Sequence, residues 1–164
     1  VSAIKSYYDA YQNGQYSEEE AMNMAKEVVR GMRYGDDADS DGVPDGYFWI
    51  DNKDYTLVMH PILPDKEGSN RKELKDTNGV MIIQSIMKVS DEGGYNEFLF
   101  TKSDGVTIAP KIAYSLAFKP WNWVITTGNY VDDMQISIDN IDAKVNSITN
   151  RVFTSSIILF LFRD

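Results

Sequence analysis

The end of the chain carries the clearest periodic pattern of hydrophobic positions. From 131 to 152 apolar side chains recur at alternating spacings of three and four, with Asp, Asn, Lys and Ser between them. This is an a/d heptad seam held over three heptads. The alternative is a helix that packs on its own domain. The apolar positions of such a helix repeat every 3.6 residues and would not keep a strict heptad spacing over this length. We therefore expect a long helix that pairs with another helix through Val131, Met134, Ile138, Ile141, Val145, Ile148 and Val152.

The first 35 residues have the pattern of helices. Ser17 and Glu20 form a capping box, and apolar residues follow at helical spacing until Gly35, where the helix should end. The polar, tyrosine-rich segment 6–16 predicts the end of an earlier helix, broken at Asn13-Gly14. The apolar positions of the second helix are Ala21, Met24, Val28 and Met32.

Short β-rich runs replace this pattern in the middle of the chain. Runs 47–50 and 56–60 flank Asn52-Lys53-Asp54 and predict a hairpin. A short helix is predicted at 80–89, and three more strands at 95–101, 107–118 and 123–130. The order predicts an α+β fold, a five-stranded antiparallel sheet with helices packed on it. The chain then divides into a helical region 1–35, a core 36–130 with an acidic loop 36–46, and a C-terminal segment 131–164.

Composition narrows the function classes. The 164 residues fit one domain, and 25 acidic against 16 basic residues give a net charge of −9, which argues against nucleic acid or an anionic membrane surface as a partner. The absence of cysteine excludes thiol catalysis, zinc–thiolate sites and disulfides. One histidine makes a histidine-based hydrolase or multi-histidine metal site improbable, so we do not expect an enzyme.

The last apolar stretch, VFTSSIILFLF at 152–162, is too short to cross a bilayer, which needs about 20 residues. It is either a buried terminal helix or the first turns of a membrane-spanning helix. We expect the second, because the stretch continues the heptad helix.

The acidic loop has the spacing Asp-x-Asp-x-Asp-Gly-x-x-Asp. Carboxylates at loop positions 1, 3, 5 and 9, with a carbonyl at 7, supply oxygen ligands for Ca²⁺. Phe48 stands at position 12 in place of a bidentate Glu, so the loop is not a complete EF-hand and is closer to the Asp-rich loops of thrombospondin-type repeats. The alternative is a solvated acidic loop. The predicted structural Ca²⁺ ligands are Asp37, Asp39, Asp41, Val43 and Asp45.

Several segments match a known pattern in register. They are GYFWIDNKDYTLVMHPILPDKEGSN at 46–70, LKDTNG at 74–79, GGYNEFLF at 93–100 and PKIAYSLAFKPWNWVITTGNYVDDM at 110–134. Over about half of its length the chain resembles single Cache domains, the sensor domains of bacterial chemoreceptors. Thr126-Thr127-Gly128 stands where that family commonly has Gly-Thr-Gly, and the acidic loop is an insertion relative to its pattern.

The resemblance implies a PAS-like sheet, a long N-terminal helix and a ligand pocket between the sheet and a covering loop. It implies a domain outside the inner membrane, periplasmic or extracellular, in a membrane-spanning receptor that is a homodimer when complete. Ligands of the family are often acetate, propionate, pyruvate or lactate, with urea and other small polar molecules also known. The heptad helix is then the output helix towards the membrane.

Candidate ligand contacts follow from residue chemistry and from the resemblance. Lys111 places an ammonium group on a predicted strand, which suits a carboxylate, although a solvated lysine is the alternative. The resemblance puts the His-Pro pair near the pocket, where His60 is either a contact or a structural group. Aromatic side chains either line the ligand pocket or belong to the hydrophobic core. The predicted ligand-binding residues are Trp49, His60, Tyr95, Phe98, Lys111 and Tyr114.

The choice of function lies between three classes. The first is the sensor domain of a chemoreceptor that binds a short carboxylate, and the sensor domain of a histidine kinase is its nearest alternative. The second is an enzyme, which no nucleophile–base arrangement supports. The third is a calcium-stabilised extracellular binding module.

Overall fold

The structure is a computed structural model and describes residues 1–35, 37, 42–102 and 104–161, with side chains as far as 152. Val1–Tyr130 form one compact unit and Val131–Asp164 another. The helices are α1 (Ser2–Gln12), α2 (Glu18–Gly31), α3 (Ile82–Val89) and α4 (Val131–Leu161). The strands are β1 (Arg33–Tyr34), β2 (Gly46–Asn52), β3 (Leu57–Met59), β4 (Gly94–Thr101), β5 (Ile108–Phe118) and β6 (Trp123–Tyr130).

One antiparallel sheet organises the first unit. Its strand order is β1-β2-β6-β5-β4, and β3 pairs with β2 as the predicted hairpin. The α+β fold class and all five predicted strands are confirmed, as is the short helix α3. The sheet also has a sixth strand, β1, which pairs with the start of β2. Two residues are too few to form an alternating pattern, so the sequence did not reveal this strand.

The two faces of the sheet have separate cores because side chains alternate along each strand. On β6, Trp123 and Ile125 point to the side covered by α1 and α2, whereas Val124 points to the side covered by α3. The α1–α2 core includes Ile4, Ala21, Ala25, Val29, Ile50 and Met59. The α3 core includes Tyr47, Trp49, Leu57, Ile82, Ile83, Ile86 and Phe98.

The buried side of α2 is made by small residues. Ala21, Ala25 and Val29 are buried, whereas Met24 and Val28 are 39% and 36% exposed. The apolar positions read from the sequence are therefore rotated relative to the true contact face. Alanine at 21 and 25 permits close approach of the helix to the sheet.

The predicted capping box of α2 is confirmed. The hydroxyl oxygen of Ser17 accepts the backbone N–H of Glu20 at 3.3 Å, and the Glu20 carboxylate accepts the backbone N–H of Ser17 at 2.8 Å. These bonds satisfy two amides that the helix itself leaves without partners.

Ser17→Ala is expected to lower the free energy of unfolding by about 1 kcal/mol, because an N-cap bond is lost. Urea unfolding followed by circular dichroism measures the change. Ser6→Ala, within α1, is the matched control and should leave stability nearly unchanged. Equal effects of the two substitutions would contradict a capping role for Ser17.

Helix α4 runs without a break from Val131 to Leu161, which confirms the predicted long helix. Ile138, Ile141, Val145, Ile148 and Val152 are 51–61% exposed. Pairing through this seam stays a prediction, as does a membrane-spanning continuation of 152–162. In the part of the chain that the structure describes, no helix is long and apolar enough to cross a membrane.

Candidate ligand-binding site

A cavity lies on the α3 side of the sheet, with about 260 Å³ of empty space including the solvent at its mouth. Residues two apart on a strand face the same side, so β2 and β4 each contribute two aromatic rings. Lys111 on β5 lies opposite Phe98 in the β4–β5 register. The cavity is lined by Tyr47, Trp49, His60, Arg71, Ile82, Ile83, Phe98, Phe100 and Lys111.

Lys111 brings an ammonium group into this wall although its side chain is only 1% exposed. Its Nζ donates a hydrogen bond to the Tyr47 hydroxyl at 2.9 Å. The same atom lies 4.5 Å from the ring centre of Tyr47, 4.8 Å from that of Tyr130 and 5.2 Å from that of Trp49. Aromatic faces attract cations within about 6 Å. The rings therefore stabilise a charge that is costly to bury.

Tyr47 is a second donor in the cavity wall. Burial raises the pKa of Tyr47 to about 12, so the phenol keeps its proton. Its oxygen accepts the bond from Lys111, and a hydroxyl that accepts one bond can still donate another. Tyr47 and Lys111 together offer adjacent donors to a ligand oxygen.

Arg71 reaches the cavity from the chain after β3 and is held by a buried carboxylate. Asp51 is 0% exposed. It accepts a bond from Arg71 Nε at 3.1 Å and another from Arg71 Nη2 at the same oxygen, and one from Trp49 Nε1 at 3.1 Å. Burial raises the pKa of Asp51, and the Arg71 guanidinium opposes that rise. Each charge of this pair depends on the other.

His60 follows β3 and is 3% exposed. Its Nδ1 accepts the backbone N–H groups of Ile62 and Leu63, both at 3.2 Å. The ring centre lies 5.3 Å from that of Tyr47 and 5.9 Å from that of Trp49. Burial, with the charges of Arg71 and Lys111, lowers the pKa of His60 to about 3. The imidazole is therefore neutral at physiological pH.

The chain between β3 and α3 is tied to the rest of the unit at two points. Glu67 accepts two bonds from the Arg30 guanidinium of α2, at 2.7 and 3.0 Å, and the backbone N–H of His60 at 2.8 Å. Asp76 accepts the backbone N–H of Leu99 on β4 at 2.9 Å. These contacts hold the segment that carries Arg71 against the cavity.

Four of the six predicted ligand residues come together around the cavity, namely Trp49, His60, Phe98 and Lys111. Tyr95 and Tyr114 do not. They pair with each other across the β4–β5 ladder, with ring centres 4.9 Å apart, and Tyr95 is 72% exposed. Residues three apart on a strand face opposite sides. Tyr114 therefore points away from the face that carries Lys111, and neither Tyr114 nor Tyr95, both predicted as ligand contacts, lines the cavity.

Sequence reasoning missed five residues of the cavity wall. Arg71 lies in an irregular loop, where no periodicity shows which way a side chain points. One signal was available in the sequence. Asp51 lies two residues after Trp49 and four after Tyr47, so its side chain is on the same buried face of the strand. A carboxylate buried in this way requires a cation as its partner. The missed residues are Tyr47, Arg71, Ile82, Ile83 and Phe100.

The predicted calcium loop falls largely outside the described residues, which include neither Asp39 nor Asp41. Of the predicted ligands, the structure describes Asp37, Val43 and Asp45, and Asp37 accepts the backbone N–H of Gly42 at 2.8 Å. Among the described residues no cluster of three or more acidic or histidine side chains is placed to hold a metal ion. The structural Ca²⁺ site stays a prediction.

Comparisons with known proteins identify relatives of this chain and of its fold. The family model of Single Cache domain 2 matches residues 1–144. The methyl-accepting chemotaxis protein McpP of Pseudomonas putida is 28% identical over 138 residues, which cover 82% of this chain and 24% of that protein. The sensor histidine kinase MctS of Rhizobium johnstonii is 27% identical over 135 residues, covering 82% of this chain and 27% of that protein. The chain thus spans about a quarter of the length of these curated relatives.

Solved structures agree with this relationship. A periplasmic sensor domain of a chemotaxis protein is 28% identical, has a TM-score of 0.70, and is matched over 79% of this chain and 86% of its own. A methyl-accepting chemotaxis protein from Vibrio parahaemolyticus is 34% identical, with a TM-score of 0.64 and coverage of 81% and 82%. A Cache chemosensory domain described by its carboxylic acid recognition is 25% identical, with a TM-score of 0.71 and coverage of 79% and 84%.

The match to the family model extends from α1 into α4 and includes every strand of the sheet and every residue that lines the cavity. The resemblance seen in the sequence is confirmed, and the chain belongs to the Single Cache domain 2 family, a family of sensor domains found in chemoreceptors and sensor histidine kinases.

Proposed function

We propose that this domain binds a short carboxylate in the cavity and acts as the extracytoplasmic sensor domain of a membrane-spanning chemoreceptor. The observation that carries the proposal is the buried Lys111 ammonium, placed beside the Tyr47 hydroxyl in the wall of a small cavity. An ammonium group in the wall of a cavity suits an anionic ligand. A carboxylate would use it, because charge-assisted hydrogen bonds are the strong ones.

The rest of the wall fits an anion with a short hydrocarbon end. Arg71 and His60 add further polar groups near Lys111, whereas Ile82, Ile83 and Phe98 are apolar. The empty space between these side chains is small, about 260 Å³ with the solvent at its mouth included. This combination favours ligands of a few carbon atoms, such as acetate, propionate, pyruvate or lactate. The related Cache domain named for carboxylic acid recognition supports the same ligand class.

The signalling role draws its support from the relatives. The Vibrio chemotaxis protein and McpP favour a methyl-accepting receptor. MctS favours the alternative, the sensor domain of a histidine kinase. In either protein the domain would lie on the periplasmic or extracellular side, as the name of the periplasmic sensor domain suggests.

The exposed seam of α4 supports an output role for this helix. These apolar residues are half exposed at heptad positions. Packing them against a second helix would stabilise the pair of helices by roughly 1.5–3 kcal/mol per fully buried side chain. In the complete receptor the seam would pair two subunits of a homodimer.

A thermal-shift screen tests the ligand class. A carboxylate present at about one hundred times its Kd adds about 2.7 kcal/mol to stability, which corresponds to a rise of about 5–11 °C in Tm for a domain of this size. The screen uses acetate, propionate, pyruvate and lactate, with propionamide as the neutral control of matched shape. A rise with at least one carboxylate and none with the amide is expected. No rise with any carboxylate, or an equal rise with propionamide, would contradict the proposal.

A further inference from the structure

We propose that His60 is held as a neutral imidazole with its proton on Nε2, and that this donor hydrogen-bonds an acceptor atom of the ligand, so that recognition is unaffected by mild acid. The proposal deepens the proposed function and rests on it for the identity of the cavity. It assigns to one side chain both a contact and a fixed protonation state.

The hydrogen bonds at Nδ1 determine the tautomer. The backbone N–H groups of Ile62 and Leu63 both point at this atom, at 3.2 Å. A backbone N–H is a donor only, so Nδ1 must present its lone pair. In the neutral ring the single proton is then on Nε2. Protonating Nδ1 as well would place three N–H groups against one another, so the cationic ring requires the turn after β3 to open.

Because Nδ1 faces the backbone, Nε2 is the ring nitrogen that can face the cavity. The ring is nearly buried and lines the cavity. It packs beside the rings of Tyr47 and Trp49. The backbone of His60 is fixed independently, because its N–H donates to Glu67 at 2.8 Å. The ring therefore has little freedom to turn Nδ1 away from the backbone.

The charges around the ring oppose a second proton. Burial is the largest effect, and the cations from the loop and β5 add to it, whereas the Glu67 carboxylate opposes them. Tyr47 stays neutral because its pKa is raised, and Asp51 is engaged by Arg71. The groups that bear on the ring are Arg71 and Lys111, then Glu67, then Arg30 of α2.

Ligand binding and stability should therefore respond differently to acid. An ordinary histidine titrates near 6.5, but the pKa of His60 is lowered to about 3. From about pH 8 to pH 5.5 the donor stays in place, and affinity should not change. The unfolded chain gains a proton near pH 6.5 whereas the folded chain does not. The contribution of His60 to stability is thus complete above about pH 6.5 and is lost progressively as the pH falls towards 3.

The chain contains one histidine, which makes the test direct. In protein without a histidine tag, ¹⁵N–¹H correlation spectra of the imidazole should report the Nε2–H tautomer and no titration between about pH 5.5 and 8. Adding propionate should shift the Nε2 resonance more than the Nδ1 resonance. A signal that titrates near pH 6.5, or a proton on Nδ1, would overturn the proposal.

His60→Asn separates the two roles of the ring. The asparagine side-chain oxygen can still accept the N–H groups of Ile62 and Leu63. Its NH2 group then lies at the position of the ring carbon Cδ2, so no donor stands at the position of Nε2. Propionate affinity should fall about two- to tenfold, the range for one lost hydrogen bond, and by the same factor at pH 6 as at about pH 8. Unchanged affinity in a folded variant would overturn the ligand contact. If no carboxylate binds the native protein while the Nε2–H tautomer is observed, the proposed function fails together with the ligand contact, and the assigned protonation state stands.

Discussion

Replacing Lys111 with methionine is expected to lower carboxylate affinity at least tenfold while the domain stays folded. The lost contact is a charge-assisted hydrogen bond, which contributes about 1.5–3 kcal/mol. Methionine keeps the length and the apolar stem of the side chain. It also carries no charge that must be desolvated in the cavity wall, so the variant should fold.

A loss of affinity in a variant that stays folded distinguishes a ligand contact from a structural lysine. Isothermal titration calorimetry with the carboxylate that gives the largest thermal shift measures the affinity, and urea unfolding measures the stability. Lys119→Met is the matched control, since Lys119 is exposed and lies directly after the same strand. Affinity that is unchanged in Lys111→Met, or lowered equally in both variants, would remove Lys111 from the site.

Breaking the Asp51–Arg71 pair is expected to cause a large loss of stability. The Asp51 side chain is fully buried and that of Arg71 is 10% exposed. Asp51→Ala leaves the guanidinium without its carboxylate in a poorly solvated place, which costs about 3–5 kcal/mol. Chemical unfolding should show a markedly lower midpoint.

Two further variants test whether the loss of stability comes from the buried, unpaired charge. Asp9→Ala breaks a comparably short ion pair with Lys5, but the Lys5 side chain is 62% exposed and that of Asp9 is 48% exposed. The expected loss of stability is therefore below about 1 kcal/mol. The double variant Asp51→Leu with Arg71→Met removes both charges and should be more stable than Asp51→Ala. A double variant as unstable as the single one would mean that shape, rather than the unpaired charge, sets the cost.

The Asp51–Arg71 pair also bears on recognition. Asp51 neutralises and orients Arg71, so the guanidinium is held at the cavity wall instead of turning to solvent. Lys111 is stabilised differently, by the faces of aromatic rings and the Tyr47 hydroxyl. The cavity therefore combines two cations that are positioned by separate means.

Local patterns in the sequence determined the secondary structure. The capping box at Ser17 and the heptad spacing after Val131 each involve residues within a turn or two of one another. The strands were recognised for the same reason, because alternation and turn residues are local properties. The fold class followed from the order of these elements, and the family from segments that matched in register.

Pairing between distant residues was decided only by the tertiary structure. Arg71 lies 20 positions after Asp51 in an irregular loop, so no periodicity predicts that the two meet. Alternation of side chains along β5 could be read from the sequence and shows that Lys111 and Tyr114 face opposite sides of the sheet. It does not show which side holds the cavity. That choice depends on where α3 packs. The protonation state of His60 was likewise beyond the sequence, because it is determined by how the chain turns after β3 and by charges on that loop, on β5 and on α2.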